Sequence, residues 1–200
     1  MKNTALFTIF LLLAFTSYLP SATAASVYDT DGNILQKGRT YFVLAATRGN
    51  GGGIEFAATG NDTCPLTVVQ SPSGDSIGFP IRFSYPFIET LDDILEGFGL
   101  EIRFAYRPPC SPSSIATTKW TIVNDAVKLT KTSSSIIPGF FYIWGASPNS
   151  KDYKLEFCDL DNIKCGDVGI HTDDDGSRRL VITQNDPLLV HFQNTRSSSA

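Results

Sequence analysis

The sequence predicts an all-β domain, built as a sandwich or a closed barrel. Three observations point there. Short runs rich in Val, Ile, Phe, Tyr and Thr alternate with Gly, Pro, Asn and Asp clusters from residue 39 to residue 193. Only one stretch, "IETLDDILEG" (88–97), has spacing that suits a helix. Strand-rich blocks also return at a spacing on the order of 50–60 residues, which suggests a threefold organisation.

The candidate strands, in order, are "RTYFVLAA" (39–46), "CPLTVVQS" (64–71), "LEIRFAY" (100–106), "KWTIV" (119–123), "FFYIWGA" (140–146), "YKLEFC" (153–158), "RRLVIT" (178–183) and "LLVHFQ" (188–193). β-branched and aromatic residues fit a pleated, half-buried surface, and that is the reason for each assignment. The separators "RGNGGG" (48–53), "TDDDG" (172–176) and "QNDP" (184–187) carry turn chemistry.

The first residues read as a secretory leader. Lys2 precedes the apolar run "ALFTIFLLLAF" (5–15), and Ala22 and Ala24 fit the −3 and −1 positions of a cleavage site after Ala24. That run is shorter than a membrane span and Pro20 follows it, so no membrane anchor is expected. Residues 25–194 suit one domain, residues 195–200 read as a flexible tail, and the product is expected to be a secreted, extracellular or vacuolar, monomer. The net charge of −4, with Lys and Arg scattered, gives no footprint for nucleic acid.

All four cysteines, Cys64, Cys110, Cys158 and Cys165, lie beyond the leader, and an even number in an oxidising compartment reads as two disulfides. Three pairings are possible, and spacing alone does not choose among them. A local Cys158–Cys165 bridge is easy, and Cys64 would then join Cys110. Such bridges stabilise by roughly 2.5 and 4 kcal/mol in the chain-entropy picture. Asn61, in "NDT", is the one glycosylation sequon.

Several stretches, taken in order, carry a resemblance. "VYDTDGNILQKGRTYFVL", "GGGI" and "CPLTVVQS" are followed by "YKLEFC", "KCGDVGI", "DDDGSRRLVI" and "PLLVHFQ". The series resembles the plant Kunitz-type (soybean trypsin inhibitor) family over nearly all of residues 26–194. The resemblance implies a β-trefoil of twelve strands in three pseudo-repeats, with disulfides Cys64–Cys110 and Cys158–Cys165. It also implies a serine protease inhibitor that acts through an exposed, substrate-like loop, and no catalysis by the chain itself. Other members of such a fold act on cysteine or aspartic proteases through another surface, or serve as storage, defence or binding proteins without inhibiting.

Carried over residue by residue, the loop places Ser84, Tyr85 and Pro86 at P4, P3 and P2, with Phe87 at P1. Ile88 and Glu89 follow at P1′ and P2′. Phe87–Ile88 is then the reactive bond, and Phe at P1 favours a chymotrypsin-like target over a trypsin-like one. Arg82 is the rival P1 if the register shifts, since the loop is about three residues longer than is usual in the family. An Asn braces the loop from within in typical members; here the matching residue is Lys37. A lysine donates hydrogen bonds but accepts none, and burying its charge without a partner is costly, so a less braced loop is expected. A competing reading makes "FPIRFSYPFI" a strand that buries Phe83, Tyr85 and Phe87 on one face, against which Pro80 and Pro86 argue.

Other chemistry is weaker. "DTDGN" (29–33) opens like a calcium loop but has Ile34 at the sixth position and Thr40 at the twelfth, so it reads as a polar turn. Asp173, Asp174 and Asp175 precede Gly176 and read as a hairpin turn. With no CxxC pair and two histidines, His171 and His191, in strand-like runs, neither a metal site nor a cofactor is expected, and no GxSxG or HExxH motif marks an enzyme. Trp120 and Trp144 read as core or rim packing rather than sugar-stacking platforms.

Overall fold

In the computed structural model, which describes residues 24–47, 49, 51–109, 115–148 and 150–196, the apolar runs become strands. The described residues form thirteen strands and no helix. Six of them close a ring: β1 (Thr40–Ala45), β4 (Ile81–Ser84), β5 (Glu101–Phe104), β9 (Gly139–Gly145), β10 (Tyr153–Asp159) and β13 (Val190–Asn194). β1 pairs with both β13 and β4, β4 with β5, β9 with β10, and β10 with β13. The gap between β5 and β9 is closed by Leu100 and Phe141, whose backbones exchange hydrogen bonds of 2.7 and 3.0 Å. A closed ring leaves no edge to satisfy.

Three hairpins stand beside the ring: β2 (Ile54–Ala57) with β3 (Thr67–Gln70), β6 (Ala116–Val123) with β7 (Ala126–Thr130), and β11 (Cys165–Thr172) with β12 (Arg178–Thr183). They meet one another in a triangle, through Thr67 with Lys128, Arg179 with Val69, and Val181 with Ala126. β1, β5 and β10 begin at residues 40, 101 and 153. A two-residue strand, β8 (Ile136–Ile137), adds to β6.

Alternation explains the core. Ile81 and Phe83 from β4, Ile102 and Phe104 from β5, and Phe192 from β13 are all buried. Phe83 meets Phe192 edge to face, at 5.4 Å between ring centroids. Burying one such ring stabilises by about 1.5–3 kcal/mol. Trp120 is buried among Phe104 and Phe141. Trp144 lies on the rim: its Nε1 donates to Glu156 Oε2 at 2.9 Å, and its ring covers Gly97. A Cβ at Gly97 would stand 2.8 Å from that ring, at a φ of +74° that only glycine adopts freely.

Several expectations change. The 88–97 stretch is not helical; Asp93 bridges Gln36 and Leu95 bridges Ser26, so it pairs with the N-terminal segment and buries Ile94. β2, β7, β8 and β11 add to the expected strands, as does β4. The β6–β7 turn is formed by Asn124 and Asp125, both left-handed with φ of 48° and 64°, as a two-residue hairpin loop with matching twist requires. Thr195, assigned to the tail, is tied to Thr40 through both its backbone and its hydroxyl.

The polar turns are as expected. Asp29 is buried and accepts the Asn33 amide at 2.8 Å, closing the "DTDGN" turn. Asp173 closes the β11–β12 turn and holds Arg179 through two hydrogen bonds, which keep its carboxyl below the usual carboxylate range. His171 is exposed beside it, whereas burial lowers the pKa of His191 on β13. Cys158 and Cys165 are joined across the β10–β11 ladder. Cys64 is also disulfide-bonded; its expected partner, Cys110, lies outside the described residues. Residues 1–23 of the expected leader and residues 197–200 of the tail lie outside them too. Asn61 stands exposed in the β2–β3 connection. No group of three or more metal-ligating side chains occurs among the described residues.

Candidate functional site

β4 leaves the ring at Ser84 and the chain re-enters it opposite, at Glu101. Glu101 is fixed there: burial raises its pKa, but hydrogen bonds from Lys119 and Arg103 outweigh this and hold it below the usual range. The connection between them carries the candidate site.

Along β4 the alternation is strict, with Ile81 and Phe83 inward and Arg82 outward. Ser84 is half-buried and Tyr85 inward, so a continued strand would turn Phe87 inward as well. It does not. Phe87 is 81% exposed and Ile88 36%. The ladder ends at Ser84, and Pro86 brings no N–H to extend it and fixes its own φ, so the alternation breaks there. Glu89 and Thr90 continue the exposed run.

The competing strand reading therefore holds for Phe83 and Tyr85 and fails for Phe87. Tyr85, expected as a contact residue, needs a correction. Its ring is 8% exposed and packs on Phe98, so its side chain supports the loop from beneath. The hydroxyl donates to the Asp93 carbonyl at 2.9 Å and accepts the Leu95 amide at 2.9 Å. One side chain at the loop's start thus grips the loop's returning arm. Burial raises the tyrosine pKa, which keeps the hydroxyl a neutral donor.

The returning arm is itself pinned to the N-terminal segment. Lys37 N donates to Asp92 O at 2.7 Å, Ile94 N to Leu35 O at 2.7 Å, and Val27 N to Ile94 O at 2.9 Å. From this segment the Lys37 side chain reaches up into the loop. Its Nζ donates to the Glu89 carbonyl at 2.6 Å and lies 3.4 Å from Asp92 Oδ1. Lys37 does reach the loop, and its ammonium is partnered and only partly desolvated: 26% of its side chain remains exposed.

Arg82 fails as the rival contact residue on geometry. Its backbone is held in the ladder on both sides, by Thr40 and by Arg103, so it presents no free segment. Two features of the site left no mark in the sequence: the Asp92 partner of Lys37, and the contact of the Phe87 ring with Phe140 at 5.5 Å. Both join residues far apart in the chain.

The arrangement offers an exposed backbone from Phe87 to Thr90 whose flanks are anchored before any partner arrives. A segment ordered in advance loses less freedom on binding.

The chain is similar to proteins that are already known. The legume Kunitz family, described as trypsin and protease inhibitor, matches residues 27–194. Two Kunitz-type trypsin inhibitors of Glycine max are 45% and 44% identical to the chain over 207 and 209 residues, covering 100% of each chain. The solved complex of porcine pancreatic trypsin with soybean trypsin inhibitor contains a chain similar in structure, with a TM-score of 0.76 and 38% identity, over 85% of this chain and 99% of that one. With the match running from Val27 to Asn194, and so through every strand of the ring, the chain belongs to the legume Kunitz family of trypsin and protease inhibitors.

Proposed function

We propose that this chain is a secreted serine protease inhibitor that presents Phe87 to a chymotrypsin-like S1 pocket, with Phe87–Ile88 as the reactive bond. The observation that carries this reading is the exposed Phe87 at the tip of a loop anchored at both ends. The six-stranded ring with its triangle of hairpins supports a β-trefoil of three pseudo-repeats as the scaffold. Ser84, Pro86, Phe87, Ile88 and Glu89 form the contact segment, with the Tyr85 backbone running between them.

The two anchors fall on opposite sides of the reactive bond. If a protease hydrolyses Phe87–Ile88, water adds across the peptide, giving a carboxylate on Phe87 and an amine on Ile88. The new carboxyl end stays on β4 through Ser84 and Tyr85. The new amine end is held one residue further along the chain, where Lys37 grips the Glu89 carbonyl. Both ends stay aligned, so the amine can attack the acyl carbon again and expel the added water or the protease serine. A chain cut but not released remains an inhibitor. An aromatic ring suits the apolar slot of a chymotrypsin-like pocket and leaves the acid of a trypsin-like pocket without a partner.

Titration of chymotrypsin, trypsin, papain and a pepsin-like protease with the purified chain tests the proposal. Stoichiometric inhibition of chymotrypsin, and weaker inhibition of trypsin, is expected. Inhibition of papain or the pepsin-like enzyme alone would move function to another surface.

A further inference from the structure

The Phe87 ring is exposed without being unsupported. It meets Phe140 edge to face, with ring centroids 5.5 Å apart and planes at 79°. Phe140 does not belong to the loop. It lies on β9, opposite Cys158 of β10, and Cys158 is bonded to Cys165 in the next strand. Beneath it, Gly99 leaves room: a Cβ added there would stand 3.3 Å from the Phe140 Cβ. The partner ring is therefore mounted on a strand paired beside a disulfide-bonded hairpin, while most of the Phe87 ring remains free.

Resting on the reading that Phe87 enters a protease pocket, we propose that Phe140 is a positioning residue that holds the Phe87 side chain in its binding rotamer. An exposed phenylalanine on a loop samples several χ1 wells, and a partner must wait for, or select, one of them. An edge-to-face pair favours one well through the ring quadrupoles. The contact leaves most of the ring exposed, so it orients Phe87 without enclosing it. Lys37 and Tyr85 fix the backbone of the loop, whereas Phe140 fixes the side chain that reads the target.

The test compares Phe140→Leu, Phe140→Tyr, Phe87→Ala and the Phe87→Ala/Phe140→Leu double variant. Association and dissociation rates with chymotrypsin are measured by stopped flow, and Phe87 ring-proton shifts by NMR in the free protein. Phe140→Leu is expected to slow association about twofold to tenfold, the scale of ordering one side chain, with a smaller change in dissociation. The Phe87 ring-current shift should be lost with it. Phe140→Tyr keeps the ring and should restore both readouts. In the Phe87→Ala background, Phe140→Leu should have no further effect. Unchanged or faster association for Phe140→Leu overturns the proposal. So does an equal loss in the Phe87→Ala background, which would mean that Phe140 itself touches the protease. If Phe87→Ala alone leaves inhibition unchanged, the Phe87 reading falls, and this proposal with it.

Discussion

Phe87→Ala is expected to weaken inhibition of chymotrypsin by about 30- to 1,000-fold, the range for losing a central aromatic anchor worth 2–4 kcal/mol. The loss should not come from unfolding. Phe87 is 81% exposed and touches one partly buried ring, so stability should change by no more than about 0.5 kcal/mol. Phe87→Arg sharpens the test by changing the target. A guanidinium finds its acid at the base of a trypsin-like pocket, while an apolar slot desolvates it without a partner. Inhibition should therefore pass from chymotrypsin to trypsin in one substitution, measured as paired inhibition constants. A Phe87→Arg protein with an unchanged profile would place the contact elsewhere on the surface.

The second large effect concerns the braces. Tyr85→Phe removes one hydroxyl but breaks two hydrogen bonds, leaving the Asp93 carbonyl and the Leu95 amide without that partner. Such a loss costs about 1–3 kcal/mol. Lys37→Met keeps the stem and removes the donor to Glu89. Its partner Asp92 is largely exposed, so the ion pair itself adds little and the cost should be about 1 kcal/mol. Both variants should bind chymotrypsin at first and then be degraded, with net turnover at least about fivefold faster than the parent, as the lost free energy implies. The two differ in kind. Tyr85→Phe loosens the returning arm at Asp93 and Leu95, whereas Lys37→Met frees the amine end after the cut and should slow resynthesis of the bond more than binding. Gel analysis of the cleaved fraction over time checks this. Stable complexes from both variants would mean that the backbone ladder alone holds the loop.

Much of the ring was legible because its strands alternate and are rich in aromatic and β-branched residues. "YKLEFC" and "FFYIWGA" became β10 and β9 within a residue of their expected ends. The hairpin strands were harder to read. β11 contains Gly166 and Gly169, poor strand formers by propensity, because a Cβ at Gly166 would lie 2.5 Å from Ile182. β7 follows a turn of Asn124 and Asp125 whose left-handed backbone suits a tight hairpin, although neither residue is the glycine that most often marks one. The 88–97 stretch misled because Ile88, Leu91 and Leu95 fall at helical spacing, yet pairing with residues 26–37 and burial of Ile94 outweigh that local preference.

The site divides along the same line. Pro86 announced that the strand would stop and Phe87 would turn outward, since that effect is local. The braces are not local. Lys37 meets Glu89 across 52 residues, and Phe87 meets Phe140 across a longer span, so only the closed ring brings them together. Lys37 looked like a poor brace in one dimension. In three dimensions its side chain reaches the loop at Glu89.

Mass spectrometry of the inhibitor after prolonged incubation with a catalytic amount of chymotrypsin tests the central claim most directly. The account predicts a single cut, between Phe87 and Ile88, in part of the molecules, with inhibitory capacity retained and the two ends still held on the folded chain. Cleavage at another bond with inhibition intact, or complete digestion of the loop with inhibition lost, would contradict it.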